Sequence, residues 1–391
     1  MQKIYLDNAA TTKVDDRVLD EMLPYFTKKY GNASSVHSFG QEADEGVEKA
    51  RAQSAKFLGC SPDEIIFNSC ATEGNNSVIK SVARELRDKE NKNHLIISAI
   101  EHHCVLDSAK ALEKEGFNIT ILPVTKEGIV RPEDLDKAIT EKTALVSIMY
   151  ANNEVGTIQP IAKLSAIAKN KKVLFHTDAV QAINYLGCNV DNLGVDYLTL
   201  SAHKFYGPKG VGLLYKRKDA PLKPYLDGGA QEHKLRAGTL NVPGIVGLGK
   251  AIELAGEERE SRVEHASQLR DKLLAGIEEN IPEILINGSL ENRLPNNLNI
   301  TIKYAEGESM LLSLDMEGIA VSTGSACSSG SLEPSHVIQA LGVPKEFSHG
   351  SLRFSMGKDN SEQDIDLVLE VMPKIIARLR KMSPTAPKKY H

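Results

Sequence analysis

The chain has no tryptophan, and aromatic residues together make up only 5% of its 391 residues. Base-stacking platforms and aromatic carbohydrate clefts both need such rings in number, so neither is favoured. It also lacks charge of one dominant sign: 47 Lys and Arg stand against 52 Asp and Glu, a net −5 without long blocks. A nucleic-acid binder built on a basic surface is thereby disfavoured, and a small, roughly neutral partner fits better. No run approaches ~18 uncharged apolar residues, and Asp7 interrupts the start before an apolar leader can form, so neither a membrane span nor secretion is expected. Cysteines are few: Cys60, Cys70, Cys104, Cys188 and Cys327 are odd in number, widely spaced and without a C-x-x-C pair. That pattern suggests neither a disulfide framework nor a zinc ribbon, and a reducing, cytoplasmic setting is the simpler expectation.

What is present reads as an ordinary globular composition, 41% hydrophobic and 25% charged, long enough for two or three domains. From about residue 45 to 215 short β-rich runs alternate with helical patterns, the order of a mostly parallel sheet covered by helices on both faces. The strands are predicted at Ile65–Phe67, Leu95–Ser98, Ile119–Leu122, Leu145–Met149, Val173–His176, Tyr197–Leu200 and Val211–Tyr215. From about Val242 to Glu279 the chain reads as helix almost throughout, which marks a crossing into a smaller domain. A last helix starts at Ser361-Glu362-Gln363-Asp364, a capping-box-like start with Asp in place of Glu, and beyond Met382 two prolines and no periodicity predict a frayed tail.

Ligands of open α/β sheets bind outside the carboxyl ends of the strands, which directs attention to three segments. After Ile65–Phe67, Ser69-Cys70-Ala71-Thr72-Glu73-Gly74-Asn75-Asn76 offers Thr72 as a helix cap beside N–H groups that can face an anion, or as an ordinary cap and nothing more. After Val173–His176, Asp178 puts a carboxylate at the sheet end, which by itself also suits a structural loop residue. After Tyr197–Leu200 comes Ser201-Ala202-His203-Lys204-Phe205-Tyr206-Gly207-Pro208-Lys209-Gly210. Most lysines are solvated surface charges, but small and hydroxyl residues before Lys204 and a Gly-Pro-Lys-Gly turn after it suggest a shaped pocket. A desolvated lysine there can serve as an imine-forming amine.

That last segment resembles the pyridoxal-phosphate lysine segment of NifS/IscS-type cysteine desulfurases, class V aminotransferase-like enzymes. The similarity extends along nearly the whole chain: Tyr5-Leu6-Asp7-Asn8-Ala9-Ala10-Thr11-Thr12, Ala71-Thr72-Glu73, Glu101-His102-His103, Asn152-Asn153-Glu154-Val155-Gly156, His176-Thr177-Asp178-Ala179-Val180-Gln181, Arg236-Ala237-Gly238-Thr239 and Ser351-Leu352-Arg353-Phe354-Ser355. Each is weak alone; their order and spacing together are specific. The resemblance implies the fold type I architecture of pyridoxal-phosphate-dependent transferases. That is an α/β large domain over 14–258, with a mostly parallel mixed sheet between helices, plus a smaller α+β domain made of 1–13 and 259–391.

It also implies roles. Lys204 holds the cofactor covalently and moves protons, Asp178 keeps the pyridine nitrogen protonated, and Gln181 hydrogen-bonds the 3-oxygen. His102 stacks on the ring with an acid/base role. Ala71, Thr72, Ser201 and His203 surround the phosphate, joined by Thr239 of a neighbouring subunit in a homodimer, while Asn153 and Arg353 bind the substrate carboxylate.

Ser322-Thr323-Gly324-Ser325-Ala326-Cys327-Ser328-Ser329-Gly330-Ser331-Leu332 places a cysteine among Gly, Ser and Ala, a composition without core-forming residues. A lone cysteine is ordinarily a small buried hydrophobe. Here the segment, about 322–333, resembles the catalytic loop of group I desulfurases, in which the cysteine accepts sulfur as a persulfide. The implied reaction converts L-cysteine to L-alanine and passes sulfur to an acceptor such as an iron–sulfur scaffold, a nitrogenase-type system or a tRNA-thiolation relay. Selenocysteine lyase and small-amino-acid transaminase are the alternatives on the same fold, and a transaminase needs no protein thiol. The other four cysteines read as bystanders. A metal is not expected at His102-His103-Cys104, which lacks the i, i+4 spacing of helical ligands.

Overall fold

The computed structural model describes residues 3–323 and 334–391. Cys327 and most of the expected 322–333 loop therefore lie outside the described residues.

The chain opens with a short strand β1 (Ile4–Tyr5) and then builds a seven-stranded sheet from β2 (Ile65–Asn68), β3 (His94–Ser98), β4 (Asn118–Leu122), β5 (Thr143–Ser147), β6 (Leu174–Asp178), β7 (Tyr197–Ser201) and β8 (Gly212–Lys216). All seven predicted strands occur in it, in the order β2-β8-β7-β6-β5-β3-β4. Strands β7, β6, β5, β3 and β4 are parallel, and β8 runs antiparallel to both β7 and β2. β2 therefore points the same way as the parallel set. Five strands, β2, β3, β5, β6 and β7, thus deliver the segments after their carboxyl ends to one rim.

Every residue of β2, β3, β5 and β7 is buried, as expected of strands covered by helices on both faces. Alternation along them divides the packing: Ile65, Phe67, Leu198, Leu200 and Leu213 join one cluster, and Ile66, Leu95, Ile97, Leu145, Tyr197 and Leu214 join the other.

A separate core forms downstream. The antiparallel strands β9 (Ile284–Ile286), β10 (Asn297–Ile302) and, after the short β11 (Ile319–Ala320), β12 (Ser351–Ser355) pair in the order β12-β10-β9, while β11 pairs in parallel with β1. Leu298, Ile300, Leu352 and Phe354 pack with Leu269, Leu273 and Ile277 of helix Arg259–Asn280 and with Ile365, Val368 and Met372 of helix Glu362–Met382. Ile4 and Leu6 belong to the same core, so the two ends of the chain meet there. The capping box is present: Ser361 Oγ accepts from the Asp364 N–H, and the Asp364 carboxylate accepts from the Ser361 N–H.

The stretch from Val242 is helical almost throughout as expected, divided only at Glu258 into Val242–Glu257 and Arg259–Asn280, where Glu258 adopts φ −99°, ψ 5° and its carboxylate holds Arg17 and Arg262. The expected frayed tail is corrected: after Met382 the chain folds back. Tyr390 lies 4.8 Å from the Arg380 guanidinium and 6.3 Å from the Tyr304 ring, and Lys389 pairs with Glu283. Cation–π and ionic contacts dock it where no helical period exists.

Candidate active site

A cavity of about 280 Å³ opens where the five carboxyl ends converge. Lys204 closes the one-turn helix Ala202–Lys204 directly after β7, and its Nζ donates to the carbonyls of Ala9 at 2.7 Å and Ala10 at 2.6 Å. Gln181 Nε2 donates to the same Ala9 oxygen at 3.0 Å. The arm following β1 therefore forms a wall of the cavity and holds the amine in place. Asp178 ends β6; its Oδ1 accepts from the Val180 N–H at 3.0 Å and its Oδ2 from Asn75 Nδ2 at 2.7 Å, which leaves the carboxylate room for a further donor from the cavity.

His102 caps helix His103–Glu113 by accepting the Cys104 N–H, and burial holds its pKa below the usual imidazole value. Ser201 is buried, and His203 is pushed down to about 4, first by burial and then by Lys204 and Lys209. It is therefore neutral, held by Thr11 Oγ1 at 3.1 Å from its Nδ1.

Thr72 is not the helix cap expected of it. The helix starts two residues earlier than that, at Ala71, with Cys70 as an N-cap whose side chain makes no capping bond, while Glu73 reaches back to the Ser69 N–H. Thr72 is thus an exposed residue of the cavity wall in the first turn, its hydroxyl bonded to the Cys104 thiol. Across the cavity β12 contributes Arg353, 3% exposed, whose Nη1 donates to the Asn153 carbonyl at 3.0 Å and Nη2 to Asp7 Oδ1 at 2.7 Å. Its Nε is buried without a protein partner.

The cavity thus brings together Ala71, Thr72, His102, Asn153, Asp178, Gln181, Ser201, His203, Lys204 and Arg353 from six separated stretches of sequence. Thr239 is exposed and is not part of this wall. Among the described residues no cluster of His, Cys, Asp and Glu has metal-binding geometry, and no helix is long and apolar enough to cross a membrane.

Residues 4–368 match the model of the aminotransferase class-V family. The chain is 52% identical over 383 residues to a cysteine desulfurase IscS of Dictyoglomus turgidum, covering 98% of this chain and 97% of that protein. It is 52% identical over 387 residues to a cysteine desulfurase IscS of Methanosarcina thermophila, covering 99% and 95%. A solved structure titled NifS-like protein superposes with a TM-score of 0.90 at 43% identity, over 96% of this chain and all of the other.

The chain belongs to the cysteine desulfurase family. Cysteine desulfurases of this type depend on pyridoxal 5′-phosphate, and the donor set fits that group: one amine, one carboxylate facing the cavity, and neutral hydroxyl and imidazole donors opposite a buried guanidinium. Sequence reasoning passed over several residues in or behind the desulfurase cavity. Asp7, which holds Arg353, and Ala9, which lines the cavity, lie in a quoted motif but carried no role. Asn75, which holds Asp178, was quoted without a role, and Cys104 was read as a bystander although it lines the cavity. Their common feature is that they act on other side chains or through backbone carbonyls, for which a single sequence offers no periodic or spacing signal.

Proposed function

We propose that this chain removes sulfur from L-cysteine, leaving L-alanine and a persulfide on Cys327, and passes the sulfur to an acceptor protein. The observation that carries this reading is the convergence of Lys204, Asp178, His102 and Arg353 on one cavity at the carboxyl rim of the sheet. The relatives are named desulfurases, which disfavours a transaminase.

Pyridoxal phosphate, when bound, supplies an electron sink that weakens bonds at the substrate's α- and β-carbons. Asp178 would hold a proton at the cofactor's ring nitrogen, Gln181 would donate to its 3-oxygen, and Thr72, Ser201 and His203 would donate to its phosphate. Arg353 and Asn153 orient the substrate carboxylate. The Lys204 amine takes the proton from the substrate Cα. The Cys327 thiolate attacks the substrate sulfur: the S–S bond forms, the Cβ–S bond breaks, and its electron pair is left on the substrate, where Cβ takes up a proton and the proton held by Lys204 returns to Cα to complete alanine. Burial pushes the thiols of Cys60, Cys104 and Cys188 up to about 12, which removes them as rivals for that role.

The separate core around β9, β10 and β12 supports a division into a large cofactor unit, 14–258, and a small unit from 1–13 and 259–391. We further propose a homodimer in which the exposed Thr239 completes the partner's phosphate site, a cytoplasmic setting, and an iron–sulfur scaffold as acceptor. Arg236, which shares Thr239's segment, pairs with Glu73 at 2.9 Å and so fixes that segment to the phosphate-side helix.

Purified protein is expected to show the visible absorbance of the bound cofactor, lost in Lys204→Ala. Cys327→Ala should keep the absorbance and form no persulfide from cysteine; normal sulfide release by that variant would refute the assignment.

A further inference from the structure

The residues given tasks above leave Asn75 and Cys104 without one, although both reach groups of the cavity. Asn75 is wholly buried at the end of an otherwise satisfied network. Asn75 Oδ1 accepts the Thr199 hydroxyl and Asp178 Oδ1 accepts the Val180 N–H, so the Asn75 amide turns an N–H toward Asp178 Oδ2, at 2.7 Å. Its second N–H then points to Cys104 Sγ at 3.1 Å, and its Oδ1 accepts the Thr199 hydroxyl. A flipped amide would set its oxygen against the oxygens of Asp178, so the orientation is fixed.

Cys104 lies between Asn75 and the cofactor-facing imidazole. Its sulfur receives the Asn75 amide and also contacts the Thr72 hydroxyl, and burial together with the nearby Asp178 keeps the thiol protonated. His102 Nδ1 lies 3.1 Å from that sulfur and 3.2 Å from the Cys104 backbone N–H. The backbone group is only a donor. A proton on Nδ1 would face it head on, so Nδ1 is a bare lone pair and the ring proton sits on Nε2. The short S···N contact is then the S–H donating to Nδ1.

We infer that Asn75 and Cys104 are positioning residues that lock His102 in the Nε2–H tautomer and link its orientation to Asp178 through one continuous hydrogen-bonded chain. His102 consequently acts from Nε2 as a proton donor, and Cys104 is a hydrogen-bond donor and not a second nucleophile. The tautomer assignment stands on the geometry; its catalytic consequence rests on the function proposed above.

The test is made on full-length protein as purified, with its cofactor, labelled with nitrogen-15 in the histidine rings and with the His102 signals identified by their loss in His102→Gln. Long-range proton–nitrogen spectra should show a bare Nδ1 and a protonated Nε2. The charged and titratable groups facing this ring include Asp178, Lys204, His103 and Asp107 and, from helix His336–Ala340, His336. With those unchanged, Cys104→Val, which fills the space without donating, should raise the proton affinity of His102 by about three- to tenfold, because the neutral ring loses a donor. Cys104→Ser, which restores a donor, should stay near the parent. A protonated Nδ1 in the parent, or a Val variant that titrates like the parent, overturns the inference. Absence of desulfuration in a protein that shows the expected tautomer would sink the functional reading and leave this one standing.

Discussion

Gly156 sits in the turn after Asn153-Glu154-Val155 with φ of +73°, a left-handed backbone that side chains rarely adopt. A Cβ there would come within 2.7 Å of the Asn297 carboxamide, whose Nδ2 donates to the Glu154 carbonyl at 3.2 Å. Glycine is therefore required twice, by conformation and by space. Gly156→Ala is expected to cost on the order of 2–3 kcal/mol in denaturant unfolding, and to raise the KM for cysteine because the displaced turn carries Asn153. An unchanged midpoint together with an unchanged KM would contradict this. The motif around this glycine was visible in the sequence, yet only Asn153 received a role from it. The turn conformation and the carboxamide that closes on it come from residues 141 positions apart, a distance over which no local pattern speaks.

At the scale of elements, the strands were legible because β2 to β8 are apolar runs bounded by turn residues, and the structure moved their ends by only one or two positions. Helix Ser38–Leu58 was not legible. Most of its buried face, Gly40, Ala43, Gly46, Val47, Ala50, Ser54 and Ala55, is small residues, and with Leu58 alone at the end they give no stripe of large apolar side chains. The reason is close packing: a Cβ on Gly249 of the partner helix Val242–Glu257 would fall 2.6 Å from the Ala50 Cα, so the two backbones nearly touch. What ties this helix to the sheet is ionic. Arg51 donates to Glu232 at 2.8 and 3.1 Å and to the Ile65 carbonyl at 2.7 Å, and its guanidinium lies 4.9 Å from the Phe67 ring. Glu232, whose side chain is fully buried, also accepts the Phe67 N–H at 2.8 Å. Glu232→Ala strands a guanidinium inside the protein and is expected to destabilise by about 3–5 kcal/mol, read as a fall in Tm, whereas Lys374→Ala, which breaks an exposed pair, should cost under about 0.5 kcal/mol. Equal effects from the two would refute the weight given to burial.

Across the whole molecule, the rim that gathers the site also buries carboxyl groups beneath it, and this sets how stability depends on pH. Glu101, just before His102, is pushed up to about 8 by burial, against the opposing hydrogen bond from Ser98 at 2.5 Å. Glu154, beside Asn153, is pushed up to about 7 by burial, opposed by the Ser335 hydroxyl, also at 2.5 Å. Both are thus protonated in the folded chain at a pH where the unfolded chain has already released the proton. Folding takes up protons between the ordinary carboxyl range, ~4–5, and pH 8, so these two groups make stability fall as pH rises through that window. Buried His176, held down at about 3, acts on the other side: it favours the folded state once the unfolded imidazole has lost its proton, and that gain is complete above ~7. Between pH 7 and 8 the carboxyl contribution from Glu101 is therefore left without the histidine's opposing trend. Glu101→Gln, neutral at every pH, should flatten the decline across that interval by on the order of 1 kcal/mol, measured by denaturant unfolding at saturating cofactor. A variant whose stability falls between pH 7 and 8 as steeply as the parent's would show that Glu101 carries its charge inside the folded protein, and that the rim tolerates a buried carboxylate directly behind His102.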